Sequence, residues 1–244
     1  MKPHFFHIAI VAVVISFVDS VNVHATFITN PGFETFEFVG PAIASTFGDW
    51  EGDRSTIVTT ENGITPLEGI RMLRFDFTFV NTAGSTSADI HTLIDVSAYS
   101  ALISSGFAKA DATAFFNRVS VDAQTDTRFL IQVRALSGLP SGFPDGQLAN
   151  GFAEVFTDNL ASTWQAATAE LLLPSNTSYL AIIVSATEDV FDDVSFPEFD
   201  GHYVDNVSLN ITAIPEPASI AIWSVIGGIG LIAGWRKHRR KTAA

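Results

Sequence analysis

Carboxylates dominate the residues able to do chemistry, and Asp205 is the one whose position is informative. In Tyr203-Val204-Asp205-Asn206-Val207-Ser208-Leu209, strict alternation places Asp205 on one face with Tyr203, Val207, Leu209 and Ile211, and Asn206, Ser208 and Asn210 on the other. A carboxylate on the apolar face of a strand is costly unless it meets a cation, an arginine or water at the strand entry. Calcium is the cation that suits it, because it takes oxygen ligands from carboxylates and backbone carbonyls. A denser group, Glu188, Asp189, Asp192, Asp193, Glu198 and Asp200, lacks the Asp-x-Asp-x-Asp-Gly spacing of an EF-hand loop and reads as a solvated acidic loop. Trp50, Trp164, Tyr99 and Tyr203 are the aromatics that could stack on a sugar ring. Trp164 and Tyr203 suit anchoring in a core. Trp50, in Gly48-Asp49-Trp50-Glu51-Gly52-Asp53, reads as a loop residue and is the ligand-stacking candidate.

Catalytic chemistry finds little support. The chain has no cysteine, which removes thiol nucleophiles and thiolate metal sites. No Gly-x-Ser-x-Gly elbow, Walker loop or His-Glu-x-x-His stretch occurs. Apart from the two ends, His91 and His202 are the histidines left to serve a triad. Carboxylate pairs for glycoside hydrolysis are uninformative in a chain this acidic. No catalytic residue is assigned, and a non-enzyme is expected. The competing expectation is a carboxylate-dependent, polysaccharide-active enzyme on the same fold.

The elements that must position these groups are strands. Leu73–Phe79 alternates Leu73, Phe75, Phe77 and Phe79 against Arg74, Asp76 and Thr78. Arg128–Ala135 sets Phe129, Ile131, Val133 and Ala135 inward, with Leu130, Gln132 and Arg134 outward. Tyr179–Ala186 is apolar on both faces and reads as a central strand. Tyr203–Ile211 closes the body. Weaker strands are expected at Ser55–Thr60, Ala88–Asp95, Phe107–Phe116, Phe152–Phe156 and Ala167–Leu173, a short helix within Val96–Ser105, and a loop over Ser137–Gln147. Short strands, frequent turn residues and no internal repeat predict one all-β sandwich domain over residues 26–213.

Both ends differ from this body. Lys2 followed by the 11-residue apolar run Ile8–Val18 and by Val23-His24-Ala25 predicts a signal peptide over residues 1–25, cleaved between Ala25 and Thr26; an uncleaved anchor is the alternative. At the other end, Ala218–Trp235 is 18 residues without a charge, about 27 Å as a helix, which is near the minimum for spanning a bilayer. The basic tail 236–241 then favours the cytoplasmic side and leaves the body outside. Removing Lys2 and the five basic tail residues leaves 7 of 13 lysines and arginines; removing Asp19 and Glu216 leaves 24 of 26 acids. The body therefore carries −17, which argues against nucleic acid and anionic membranes as its partners.

Pro215-Glu216-Pro217, the apolar span and the basic cluster together resemble the PEP-CTERM sorting segment of exported bacterial proteins, over residues 214–241. The resemblance implies that an exosortase-like membrane enzyme recognises Pro215, Glu216 and Pro217 and cleaves near them. It implies an inner-membrane intermediate, then the cell surface or the extracellular matrix of an exopolysaccharide producer. A permanent single-pass surface adhesin, with the helix retained, is the alternative. A second resemblance runs through the body, from Asn30-Pro31-Gly32-Phe33-Glu34 and Gly48-Asp49-Trp50 through Pro66-Leu67-Glu68-Gly69 and Leu172-Leu173-Pro174 to the Tyr203–Leu209 segment. It is similar to the jelly-roll, galactose-binding-like sandwiches of carbohydrate-binding modules. In those a structural calcium ties the first strand to the last, which implies Glu34 and Asp205 as ligands here and the turn at Gly69 as a carbonyl donor. Contact with an extracellular polysaccharide and an inert matrix role are both compatible with this resemblance.

Overall fold

The computed structural model describes residues 28–76, 79–80, 86–119, 128–158, 160–188 and 201–214. Among them lie eleven strands: β1 (Trp50–Gly52), β2 (Ser55–Val58), β3 (Met72–Phe75), β4 (Phe79–Val80), β5 (Thr86–Asp95), β6 (Ala108–Arg118), β7 (Arg128–Leu136), β8 (Gln147–Phe156), β9 (Gln165–Leu172), β10 (Tyr179–Glu188) and β11 (His202–Ala213). They form two antiparallel sheets. One has the order β1-β5-β10-β7-β8, with β4 also on β5; the other runs β2-β3-β11-β6-β9. A 3-10 turn and one short helix, α1 (Ser100–Ser104), link β5 to β6.

Alternation builds the sandwich. The inward residues of β7 (Phe129, Ile131, Val133, Ala135) and β10 (Leu180, Ile182, Val184, Ala186) are fully buried. They face a row of small residues on β6, Ala108, Ala110, Ala112 and Ala114, and Ala167 and Ala169 on β9. Large side chains on one sheet against alanines on the other let the two layers interdigitate. At one end of the row Phe116 and Phe129 stack across the gap, 5.0 Å between centroids. As expected from its two apolar faces, β10 is central: its full length pairs with β5 on one side and nearly all of it with β7 on the other.

Three expectations need correction. The segment Leu73–Phe79 is not one strand. β3 ends at Phe75 and pairs with β2 and β11, whereas β4 begins at Phe79 and pairs with β5 in the other sheet. Trp50 is not in a loop, because Trp50–Gly52 pairs with Ile90–Thr92 of β5 as the edge strand β1. The alternation of β11 is also interrupted, since its register on β6 shifts between Asp205 and Ser208. Val204 therefore joins Val207, Leu209 and Ile211 in the inter-sheet core, while Tyr203 packs with Ile64 and Met72 in a separate cluster on the opposite face. The signal segment with its Ala25–Thr26 junction, Pro215, Glu216, Pro217, the span 218–235 and the basic tail lie outside the described residues, as does the acidic loop from Asp189 to Asp200. Among the described residues, no helix is long and apolar enough to cross a membrane.

Candidate functional site

The break in β11 is where the opening of the body docks. Asn206 takes a left-handed conformation (φ 48°), and the next amide, Val207 N, donates to Pro31 O at 2.8 Å. Asn30 shapes the approaching turn: its Oδ1 accepts from Thr35 N at 2.9 Å and its Nδ2 donates to Thr35 O at 2.7 Å. Phe33, fully buried, plugs the core beside Trp50 with 5.2 Å between ring centroids. Glu34 is thereby aimed at the turn 66–71. Its Oε1 accepts from Ile70 N at 3.0 Å and Arg71 N at 3.1 Å. Asp205 reaches the same turn from the other side, Oδ2 accepting from Leu67 N at 2.8 Å and Glu68 N at 3.3 Å, with Oδ1 accepting from Asn206 N at 2.7 Å. Gly69 sits between the two carboxylates at φ 64°, and a Cβ there would stand 2.1 Å from Glu34 Oε1. Only glycine fits that position without displacing the clip.

Glu34, Gly69 and Asp205 are thus brought to one turn, although the alternation argument for Asp205 needs amending. Asp205 shares a face with Tyr203 and not with Val207; it is buried beneath the 66–71 turn instead of in the core between the sheets. Burial pushes its carboxyl up to about 6, against three backbone N–H bonds that hold it down, and the charge of Glu34 pushes the same way as burial. The two carboxylates sense each other and are held by backbone amides, and the Arg71 guanidinium donates to Glu34 O beside them; a hard cation bound here would take its acidic oxygens from these two side chains. Among the described residues there is no cluster of three or more metal-ligating side chains, so backbone carbonyls would have to complete the shell.

Trp50 is not available as a stacking platform. It is 1% exposed, packs against Phe33, and donates Nε1–H to Thr29 O at 3.1 Å. Trp164 packs against the Ile64–Met72–Tyr203 cluster and donates to Thr65 O, and Tyr203 is fully buried.

The outer face of the six-stranded sheet is exposed along its β7–β8 side, while its centre on β5 and β10 is buried. Cross-strand register aligns Glu51, His91, Ile183, Gln132 and Phe152 in one row across β1, β5, β10, β7 and β8. The neighbouring rows are Leu93, Ala181, Arg134 and Asn150, then Asp89, Ser185, Leu130 and Glu154. Ala181, Ile183 and Ser185 on β10 are buried and form the floor of a shallow trough, whose exposed side runs along β7 and β8. Phe152 and Phe156, 59% and 62% exposed, line its β8 edge. At the other end two loops close over it: Ala44 and Phe143 pack on Leu93, Leu136, Tyr179 and Ala181. His91 ties that end, because its Nε2 accepts from Ala44 N at 3.0 Å and its ring lies 4.9 Å from that of Phe143. Burial lowers the His91 pKa to about 4; Asp89 opposes the shift and Arg134 adds to it. The alternation of β7 predicts Leu130, Gln132 and Arg134 outward, and the structure places them there, half-buried.

No protein-family model and no curated protein matches this chain. Among solved structures, similarity is found to a CBM61 module in complex with β-1,4-galactotriose, at 16% identity and a TM-score of 0.44, covering 76% of this chain and 97% of that one. The CBM22-1 xylan-binding domain of a Paenibacillus barcinonensis protein is similar at 9% identity and a TM-score of 0.39, covering 71% and 90%. The enzymatically active domain of a bacteriophage CBA120 tailspike is similar at 12% identity and a TM-score of 0.44, covering 76% of this chain and 21% of that one. Overlaps this distant assign no ligand.

Proposed function

We propose that this is a non-catalytic, exported binding module that holds an extended extracellular polysaccharide along the trough on the outer face of the six-stranded sheet. The observation that carries the proposal is the make-up of that face. It combines exposed edge phenylalanines for apolar contact with sugar rings, the side-chain amides of Gln132 and Asn150 on β7 and β8 beside them, and a floor of Ala181, Ile183 and Ser185 on β10. Delivery is proposed to follow the C-terminal segment: an exosortase-like enzyme reads Pro215-Glu216-Pro217 and releases the body to the surface or matrix. Calcium at Glu34, Asp205 and carbonyls of the 66–71 turn is proposed to tie the opening loop to β11.

Affinity electrophoresis in a panel of plant and bacterial polysaccharides tests the binding role. The wild-type protein is expected to be retarded by at least one polymer. Phe152→Ala, which removes an exposed ring and leaves the core untouched, is expected to weaken the retardation about tenfold, as for loss of a stacking contact worth about 1–1.5 kcal/mol. Migration of the wild type unchanged in every gel would leave an inert matrix role in its place.

A further inference from the structure

We infer that the trough selects polysaccharides bearing carboxylates, and that Arg134 is the residue that reads the acid group. This rests on the sheet-face reading above and names its ligand class.

Outward sheet positions carry Arg74 on β3, Lys109 on β6, and Arg128 and Arg134 on β7. The first three each have acids supplied to them. Arg74 is paired with Glu61 and Asp76, Lys109 with Asp111 and Glu170, and Arg128 with Glu154. Arg134 makes no ion pair among the described residues. Its cross-strand neighbours are Ala181 on β10 and Asn150 on β8, one too short to reach it and the other uncharged. Its Nε–H donates to Gln132 Oε1 at 2.7 Å, an amide that orients the guanidinium without neutralising it. Arg134, half-buried beside the exposed β8 edge, is therefore the strand cation of this face without a carboxylate among the described residues; off the strands Arg54 and Arg71 likewise make no ion pair among them.

The chemistry of the vacant partner follows from the donor. Nε–H is already engaged, so the guanidinium retains its two terminal nitrogens, and these suit an oxyanion on a flat or ring-bound support. A sugar chain lying along the β7–β8 edge would put its rings against Phe152 and an acid substituent within reach of Arg134, one row away. The remaining charges do not defeat this. Glu154 is occupied by Arg128, while Glu51 and Asp89 stand on β1 and β5 beyond the central strand β10. The net negative charge of the protein slows the encounter with a polyanion, but beyond about 8–10 Å it is screened at physiological salt.

Pairs of polymers that differ only in the acid test the inference: polygalacturonate, alginate and a glucuronic-acid polymer, each against its carboxyl-reduced form, with the full-length protein in 0.15 M salt. The acid form is expected to bind on the order of tenfold or more tighter than its reduced counterpart. Arg134→Gln should remove that preference while leaving binding of the reduced form and the melting temperature unchanged, and Arg134→Lys should restore part of it. Equal binding of both forms, unaltered by Arg134→Gln and still weakened by Phe152→Ala, overturns the inference and leaves the sheet-face reading standing. Failure of the wild type to bind any polymer in either form overturns both.

Discussion

His91 is held on the floor of the trough as a neutral acceptor, since Nε2 takes the Ala44 amide proton and cannot carry one of its own. Protonation would set a donor against a donor and charge a ring that is 9% exposed beneath Phe143. Asp89 favours the charged form and Arg134 disfavours it, but burial is the largest influence and the pKa falls to about 4. In the unfolded chain the same ring titrates near 6.5. Between those values the unfolded state binds the proton and the folded state does not, so stability is complete above pH 6.5 and is lost as pH falls towards 4. We expect chemical denaturation to show the protein losing on the order of 2 kcal/mol more between pH 7 and pH 4.5 than a His91→Gln variant does. Glutamine can still accept the Ala44 proton through its amide oxygen, so the variant should fold. Parallel pH profiles for the two proteins would show that His91 does not hold the loop.

At the scale of elements, the sandwich closes along β8 and β9 because of one missing side chain. Gly151 lies so near β9 that a Cβ on it would stand 2.0 Å from the Glu170 carbonyl oxygen. That oxygen belongs to the backbone of a paired strand and cannot swing aside, so a methyl group must part the two edges. Gly151→Ala is therefore expected to destabilise by about 1–3 kcal/mol, whereas Gly142→Ala, which meets nothing within 4 Å, should leave thermal unfolding unchanged. Equal melting temperatures for the two variants would refute the close approach. Most of these strands were legible in the sequence, because a long alternating run such as Arg128–Ala135 can bury only one face. Two features were not. The three residues of β1 are too few to show alternation and sit between Gly48-Asp49 and Gly52-Asp53, so Trp50 reads as a loop residue until its pairing with β5 is seen. The β11 bulge inverts side-chain parity without a sequence signal of its own, since Asn206 fits an alternating strand as well as it fits a left-handed kink. For that reason alternation assigned Asp205 the right burial on the wrong face. The clip itself was readable only in outline, by the order of the landmarks, because its contacts are backbone amides that any residue could supply.

The whole molecule has no disulfide, an excess of acids, and an opening segment joined to its last strand chiefly through backbone hydrogen bonds to Glu34, Asp205 and Pro31. The two carboxylates anchor the same turn, and the charge of Glu34 adds a small repulsion to the burial that raises the Asp205 pKa. A divalent cation between them would convert that repulsion into attraction and would bind the folded chain alone, since the unfolded chain scatters the ligands. Calcium present at about a hundred times its dissociation constant would add about 2.7 kcal/mol of stability. For a domain of this size that corresponds to a rise in melting temperature of roughly 5–10 °C. We therefore expect scanning calorimetry to show melting lowered by EDTA and restored by excess calcium, with the response abolished in Glu34→Gln. That variant can still accept the Ile70 and Arg71 amides through its amide oxygen, so it separates the charge needed by a cation from the hydrogen bonds that hold the turn. A melting temperature indifferent to EDTA would mean that the amides alone secure the joint, with no cation to offset the burial that raises the Asp205 pKa.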